Sequence, residues 1–331
     1  MIAKIDAFSL TKKESGEFPA YTVAIINFGQ DQLIIGCVAS VYRQTAQPTE
    51  IVLVDNSGHL QGEAFGMDGV TFLQPDKNLG YAGGSNLALS LCQTDYILVM
   101  NPDVLLETDY TARILAYLEQ ERQTAAVGGL LLRYDFAHDN TTNLIDSAGI
   151  VGSRSGRFWD RGQGSEWTGQ YTSGLVFGVS GAAAFFRVEA LRAVAVNGEA
   201  FDEDMLAYKE DIDMAWRLCL RGWSSALLVE AVAYHGRAAG GSENGWRERL
   251  AARRRHSMIA RRLAFKNQFL LLLKNGNRND LDLWPVFMRL LILLGYTCIF
   301  EPSVLCVVPQ LISQLPRAWS KRRLQKNRIE I

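Results

Sequence analysis

Two acidic stretches and one histidine carry the residue types that could do chemistry. The first is Asn101-Pro102-Asp103, which follows the run Tyr96-Ile-Leu-Val-Met100. Such an apolar run reads as a fully buried strand of a parallel sheet, and Pro102, which has no N–H, ends it. Asp103 is thereby held just beyond the carboxyl end of a buried strand, where open α/β sheets bind their ligands. A carboxylate there suits Mg2+ or Mn2+ when a substrate brings phosphates; capping the next segment is its other use. The second stretch is Phe201-Asp-Glu-Asp-Met-Leu-Ala-Tyr-Lys-Glu210-Asp211-Ile-Asp213. Glu210, Asp211 and Asp213 open a helix with an apolar face of Ile212, Ala215, Trp216 and Cys219, and a helix N-terminus favours negative charge. Acids this crowded repel one another unless a cation or a substrate uses them. His235 closes the strand-like run Ala226–Tyr234. It is either a satisfied core histidine or, like Asp103, a ligand at a strand end.

These residues need a scaffold, and the chain supplies an alternating one. Tyr21–Asn27, Glu50–Asp55 and Val70–Leu73 read as strands, with a helical pattern at Leu33, Ile34, Cys37, Val38 and Val41 between the first two. Residues 109–121 read as a helix and Ala125–Leu132 as a fifth strand. Strands alternating with helices imply right-handed βαβ units and a parallel sheet. Asn78-Leu-Gly80-Tyr-Ala-Gly83-Gly84-Ser-Asn86 opens another helix, but it follows the third strand and is not GxGxxG. The dinucleotide and Walker fingerprints therefore both fail. Glycines ahead of a helix still let backbone N–H groups approach a phosphate or a base; a structural turn alone is the other reading. Gly156-Arg-Phe-Trp159-Asp-Arg161-Gly162 mixes aromatic and basic groups, as a sugar-binding wall or a surface excursion does.

The 331 residues suit one large α/β core with an appendage, at 48% hydrophobic and 21% charged. Five scattered cysteines form no CxxC, so reduced thiols and a cytoplasmic setting are expected. Residues 1–245 hold 17 basic and 30 acidic residues (net −13), and residues 246–331 hold 17 and 5 (net +12). A tail so polarised is expected to meet an anionic surface. Residues 246–273 read as a basic amphipathic helix, with Arg247, Arg249, Arg253, Arg254, Arg255, Arg261, Arg262 and Lys266 against Leu250, Ile259, Leu263 and Phe265. Trp284–Phe300 and Ser303–Leu315 are apolar but interrupted, short of the roughly 20 clean residues a spanning helix wants. They are expected to lie in the membrane interface, with Arg317, Lys321, Arg322, Arg323, Lys326 and Arg328 on anionic lipid. The expected division is thus residues 1–245 as the catalytic domain and 246–331 as a helical, membrane-associating extension.

In this order, Asn27, Val54-Asp55-Asn56-Ser57, the Asn78–Asn86 loop, Asn101-Pro-Asp103, Gly181-Ala-Ala, Phe201-Asp-Glu-Asp and Glu210-Asp211-x-Asp213 resemble family 2 glycosyltransferases of the GT-A fold, over about residues 20–275. Ile145-Asp-Ser-Ala-Gly149, Gly156-Arg157, Asp160-Arg161-Gly162 and Leu-Leu-Lys274-Asn275 are similar to bacterial rhamnosyltransferase-type members. The resemblance implies a nucleotide-sugar site of Asn27, Asp55 (on the base), Asn78, Gly80, Gly83, Asn86, Asn101 and Asp103. It implies Asp211 as catalytic base, Asp103 and His235 as ligands of Mg2+ or Mn2+, and Trp159, Arg161 and Glu210 toward the acceptor. Gly29 and Asn101 depart from the family pattern, and Asn101 stands where the first Asp of Asp-x-Asp would be. The implied reaction is an inverting, metal-dependent transfer, rhamnose from dTDP-rhamnose favoured over galactofuranose, mannose or N-acetylglucosamine. The acceptor would be a lipid-linked glycan at the inner face of the membrane, with no nucleic-acid partner and possibly a second copy of the chain. A non-catalytic sugar-nucleotide-binding relative is the alternative, and the joint presence of Asp103, Asp211 and His235 argues against it.

Overall fold

The structure is a computed structural model that describes residues 18–60, 69–236, 257–277 and 280–327. Its centre is a ten-stranded sheet. Strands β1 (Tyr21–Asn27), β2 (Glu50–Asp55), β3 (Val70–Leu73) and β4 (Tyr96–Met100) lie in the order β3-β2-β1-β4 and are all parallel. Helices α1 (Asp31–Tyr42) and α2 (Gly80–Leu91) make the crossovers. Alternate residues of β1 face opposite layers, as the two-residue period of a strand requires. Tyr21, Val23 and Ile25 join Ile34, Cys37 and Val38 of α1, whereas Ala24 and Ile26 join Ala82 and Ala88 of α2.

Beyond β4 the sheet becomes mixed. After β5 (Val104–Leu106), α3 (Tyr110–Gln120), β6 (Thr124–Asp135), β7 (Asn140–Ser147), β8 (Ile150–Gly152), β9 (Phe158–Asp160) and β10 (Gly174–Val176) comes β11 (Ala183–Arg187). β11 inserts antiparallel between β4 and β6. β12 (Ser224–His235), reached through α4 (Val188–Val194) and α5 (Glu210–Leu220), returns parallel to β6. The parallel order expected from the alternation thus holds for the first four strands and stops where β11 enters. That reversal places the start of β11 beside the end of β4: Ala183 pairs with Met100, and Asn101 N–H bonds the Ala182 carbonyl at 2.9 Å.

The C-terminal helices are α6 (Met258–Asn275), α7 (Leu283–Phe300) and α8 (Val308–Asn327). Arg247, Arg249, Leu250 and Arg253–Arg255 lie outside the described residues, as does the expected domain boundary at 245/246. The described part of this segment corrects the amphipathic expectation, because α6 turns polar residues inward. Lys266, Asn267, Gln268, Lys274 and Asn275 are all buried, and Leu271 packs with Trp216 of α5. Lys274 Nζ bonds Asp202 and lies 2.6 Å from Asp213, which also takes Asn275 at 2.6 Å and Arg217 at 2.9 Å. From α8, Lys321 pairs with Asp202 at 2.6 Å and Glu199 at 2.8 Å, and Arg317 with Asp204 at 2.7 Å. Arg322 donates to the Leu273 carbonyl at 2.6 Å. Asp202, Asp204 and Asp213 are therefore neutralised by the chain's own tail; Lys321 is buried in these pairs, whereas Arg317 stays largely exposed beside Asp204. Arg328 is outside the described residues.

Helix α7 is the opposite case. It has 18 residues with mean hydropathy 1.8, enough by length and composition alone to cross a membrane, which corrects the expectation that the run is too short. Only Thr297 in it is buried. Val286 and Leu293 nonetheless pack on the protein, and Arg289 donates to the Gly156 carbonyl.

Replacing Lys274 by Met would leave Asp202 and Asp213 short of a buried partner. Urea unfolding of Lys274→Met should show a loss of about 3–5 kcal/mol, whereas Arg154→Met, at the exposed pair with Asp282, should unfold at the wild-type midpoint.

Candidate active site

The carboxyl ends of β1, β2, β4 and β12 meet at one edge of the sheet. Asn27 and Asp55 are register partners there, and His235 ends β12 opposite Val104. Asp103, 7% exposed, receives Gln30 Nε2 on Oδ2 at 3.1 Å. Its Oδ1 is buried without a well-aligned hydrogen bond and stands 3.3 Å from His235 Nε2. His235 Nδ1 lies 2.7 Å from Asp146 Oδ2. Burial opposes charge on His235, but the two carboxylates outweigh it and push the imidazole up to about 9. Burial likewise raises the Asp103 carboxyl, and the hydrogen bond and charge of His235 reverse that to a net lowering.

Asp103 Oδ1 and His235 Nε2 thus present one oxygen and one nitrogen to the same point. They fit a divalent ion whose other ligands come from substrate and water, and such an ion would displace the Nε2 proton that the two carboxylates otherwise retain. Asp146 stands behind the histidine as the carboxylate that orients a metal-binding imidazole. Among the described residues no group of three or more His, Cys, Asp or Glu side chains converges as a metal cage. Sequence reasoning quoted Asp146 within a motif without giving it a role; its signal would have been an acid at the end of a strand pairing with β6, beside β12.

Asp211 occupies the other side of this edge. Gly181, the residue before Ala182, turns its N–H toward Asp211 Oδ2 at 3.4 Å, while Ile212 N–H bonds Oδ1 at 2.8 Å. Tyr81 of α2 closes the group by donating to the Gly181 carbonyl. Of the three acids that open α5, Asp211 alone is partly exposed. Asp213 is fully buried in its ion pairs, and Glu210 is buried beneath Asp211. Burial, then the Asp211 charge, pushes the Glu210 carboxyl up to about 8. Glu210, expected toward the acceptor, is thus buried, with its carboxyl held toward the neutral form.

Several expected nucleotide-sugar residues are engaged within the protein. Asp55 is fully buried and takes donors from Asn27, Ser57, Leu60 and Gln74. Asn27 bonds Asp31 at 2.9 Å and receives Gln30 N–H at 3.1 Å. Asn78 caps Gly80 N–H at 2.7 Å, and Asn86 holds Phe201 N–H and carbonyl, each at 2.8 Å. The space beside these glycines is taken by the protein itself, backbone at Gly80 and a side chain at Gly83. Gly80 has φ +67, and a Cβ on it would run into the Leu206 carbonyl; Gly83 is closed in by Leu79. Asn101 lies half-buried between β4 and Asp103. Trp159 is exposed on β9, under Arg157, and its neighbour Phe158 packs on Trp216 of α5. Arg161 instead bonds the Ala148 carbonyl at 2.9 Å and stacks on Tyr171, so its guanidinium holds the hairpin together.

Comparison with known proteins agrees with this geometry. A model of "Glycosyl transferase family 2" matches residues 22–194. N-acetylglucosaminyl-diphospho-decaprenol L-rhamnosyltransferase of Mycobacterium tuberculosis, from strains CDC 1551 / Oshkosh and ATCC 25618 / H37Rv, is 25% identical over 224 residues, 61% of this chain and 71% of the relative. Among solved structures, GalNAc-T7 with UDP, GalNAc and Mn2+ is similar at TM-score 0.58 and 14% identity, covering 78% of this chain and 48% of that one. S. aureus TarS is similar at TM-score 0.52 and 12% identity, over 90% and 49%. This chain spans about half the length of those two structures, and the likeness is one of fold.

The Glu210 assignment has a pH signature. Its folded value, about 8, lies above the ordinary 4.5. Between those values the unfolded chain ionises and the folded one does not, so this group's contribution is intact below the unfolded value and is lost as pH rises. Glu210→Gln should melt as wild type does near the lower value and increasingly above it towards the upper one. A melting difference that stays constant across that window would contradict a neutral Glu210.

Proposed function

The chain belongs to glycosyl transferase family 2, and from that premise we propose that it is an inverting, metal-dependent transferase acting on a lipid-linked glycan. The donor is a nucleotide diphosphate sugar, with dTDP-rhamnose favoured. The observation that carries this reading is the pairing of two groups across adjoining strand ends. Asp103 with His235 follows β4, and Asp211 sits on the Gly181 amide that precedes β11. The curated relatives' named activity, rhamnosyl transfer to N-acetylglucosaminyl-diphospho-decaprenol, supports a polyprenyl-diphosphate sugar as acceptor.

Asp103 and His235 would hold Mg2+ or Mn2+, which neutralises charge on a departing diphosphate. Asp211 accepts the proton of the acceptor hydroxyl as that oxygen attacks the anomeric carbon. Glu210 is neutral and Asp213 is ion-paired, so α5 offers no second carboxylate to act as nucleophile. One base and no nucleophile make a single displacement, and the anomeric centre inverts. The exposed indole of Trp159 is a surface on which a sugar of the acceptor can stack.

We also place the protein on the inner face of the membrane, held by apolar surface. Twelve of the nineteen exposed large apolar side chains among the described residues fall between Leu283 and Leu324, Trp284, Ile292 and Ile299 the most open of them. A concentration of this kind marks a contact surface rather than scattered exposure. All five cysteines are unpaired, in keeping with a reducing compartment.

Nucleoside diphosphate release from a panel of dTDP-, UDP- and GDP-sugars with Mg2+ or Mn2+ tests the reaction. Asp211→Asn should lose about 10²–10⁴-fold in turnover while still binding donor. Asp103→Ala should abolish both metal response and turnover, and full wild-type activity in chelator would remove the metal from the scheme. Vesicle sedimentation tests the surface. Trp284→Ser/Ile292→Ser/Ile299→Ser should lose binding, and wild-type binding should persist in high salt, because apolar burial is not screened. Release by salt alone would instead favour an electrostatic tail.

A further inference from the structure

Between the turn Glu203–Met205 and Asp211 the backbone adopts an unfavourable course. Leu206 has φ 63 and ψ −63, and Ala207 N–H bonds the Met205 carbonyl at 2.8 Å. This is the rare, strained γ-turn with a positive central φ. Tyr208 and Lys209 follow with φ 68 and 72, so three of four consecutive residues are left-handed and none is glycine. Such a segment persists only where its surroundings over-determine it, and it lies directly upstream of the proposed base.

Two elements hold it. On one side Ala82 N–H, in the first turn of α2, donates to the Leu206 carbonyl at 3.0 Å, through the gap that Gly80 leaves. On the other side α6 presents Asn267, fully buried. Its Nδ2 lies 2.9 Å from the Met205 carbonyl, 2.9 Å from that of Ala207 and 2.7 Å from that of Tyr208. An amide has two N–H donors, so three carbonyls share them, and rotation of any one disturbs the others. The clamp extends to α5: the Lys209 carbonyl receives Asp213 N–H at 2.9 Å, so residues 208–209 set where the helix carrying Asp211 begins.

We propose that Asn267 is the positioning residue of this site, holding the 205–208 backbone in the one arrangement that aims Asp211 at the acceptor hydroxyl. The proposal rests on the reading of Asp211 as base. A 1 Å misplacement of a reacting group costs about 10²-fold in rate without changing how the substrate binds, which separates positioning from donor recognition.

Three measurements test it. In wild-type protein, hydrogen exchange should find the amides of residues 205–207 as protected as those of α3; exchange as fast as in the exposed residues 166–173 would refute the clamp whether or not any variant folds. Asn267→Ser should keep donor KM within about threefold and lose about 10²-fold in kcat, with exchange accelerated over 205–211 but not in α3. Gln314→Glu is the control: it removes the 3.2 Å N–H bond to the Asp204 carbonyl on the same loop, keeps an oxygen acceptor for Lys266 and leaves the three Asn267 acceptors alone, so its kcat should stay within about threefold. A kcat near wild type in Asn267→Ser, or an equal loss in Gln314→Glu, overturns the assignment. A wild-type protein that releases nucleoside diphosphate from no donor would instead defeat the base reading, while the exchange arm would still decide whether Asn267 holds the loop.

Discussion

The approach of the Leu206 carbonyl to the first turn of α2 is the contact on which the rest of the site depends. It requires a glycine at position 80, because a side chain there would occupy the place of the carbonyl oxygen. It consumes an N–H that a helix N-terminus would otherwise offer to a ligand. It also pulls the segment after Met205 into a conformation that L-residues avoid, and the remaining polar contacts in this region answer that strain. Tyr81 and Asn86 of α2 reach Gly181 and Phe201, so one short helix braces both the strand end beside Asp211 and the loop leading to it.

Charge organises the same region on a larger scale. The acidic stretch 199–213 and the basic residues of α6 and α8 lie about 60 to 120 residues apart in sequence, as the separations of Lys274 from Asp202 and Lys321 from Asp202 illustrate. Burial raises the Asp202 carboxyl, yet Lys274 and Lys321 hold it far below the ordinary range. The opposite net charges of the two parts of the chain are therefore in good measure complementary to each other. Removing the helices would strand buried carboxylates, which is costly. Helix α6 is accordingly joined to the Asp202 and Asp213 region by buried ion pairs and hydrogen bonds.

Much of this was legible beforehand, for identifiable reasons. Strands β1, β2 and β4 are continuous apolar runs with clear stops, and Asp103 and His235 stand out because a charged group at such a stop needs an explanation. Strand direction after β4 was not legible, since hydropathy records burial and says nothing of polarity. Asn267, and the inward role of the motif residue Lys274, were hidden for a different reason. Polar residues on an arginine-rich helix read as a solvated face, and only the three-dimensional partner shows them to be inside. Asp55 and Asn27 were expected as site residues; their hydrogen bonds close on Gln74, Asp31 and the nearby turn, so they shape the edge of the sheet while leaving little of themselves open.

The helical layer has two faces of opposite character, and they are mechanically joined. Inward, Lys266, Asn267, Lys274 and Asn275 bind the 202–205 segment and Asp213, which flank Asp211. Outward, α7 and α8 present Trp284, Ile292, Ile299 and Ile312. The Gly156 carbonyl links the two, accepting from Gln268 of α6 at 3.1 Å and from Arg289 of α7. Gly156 belongs to the β8–β9 hairpin, so the exposed Trp159 is fixed to both helices as well. An acceptor with a lipid anchor has its sugar at a set height above the surface that holds the anchor. In the proposed function, a base at Asp211, an aromatic wall at Trp159 and an apolar face joined through these helices would keep that height constant. The strained loop, the buried amide and the exposed apolar helix would then answer a single geometric demand of that proposal: the hydroxyl arrives from a surface, and the base must already be at its level.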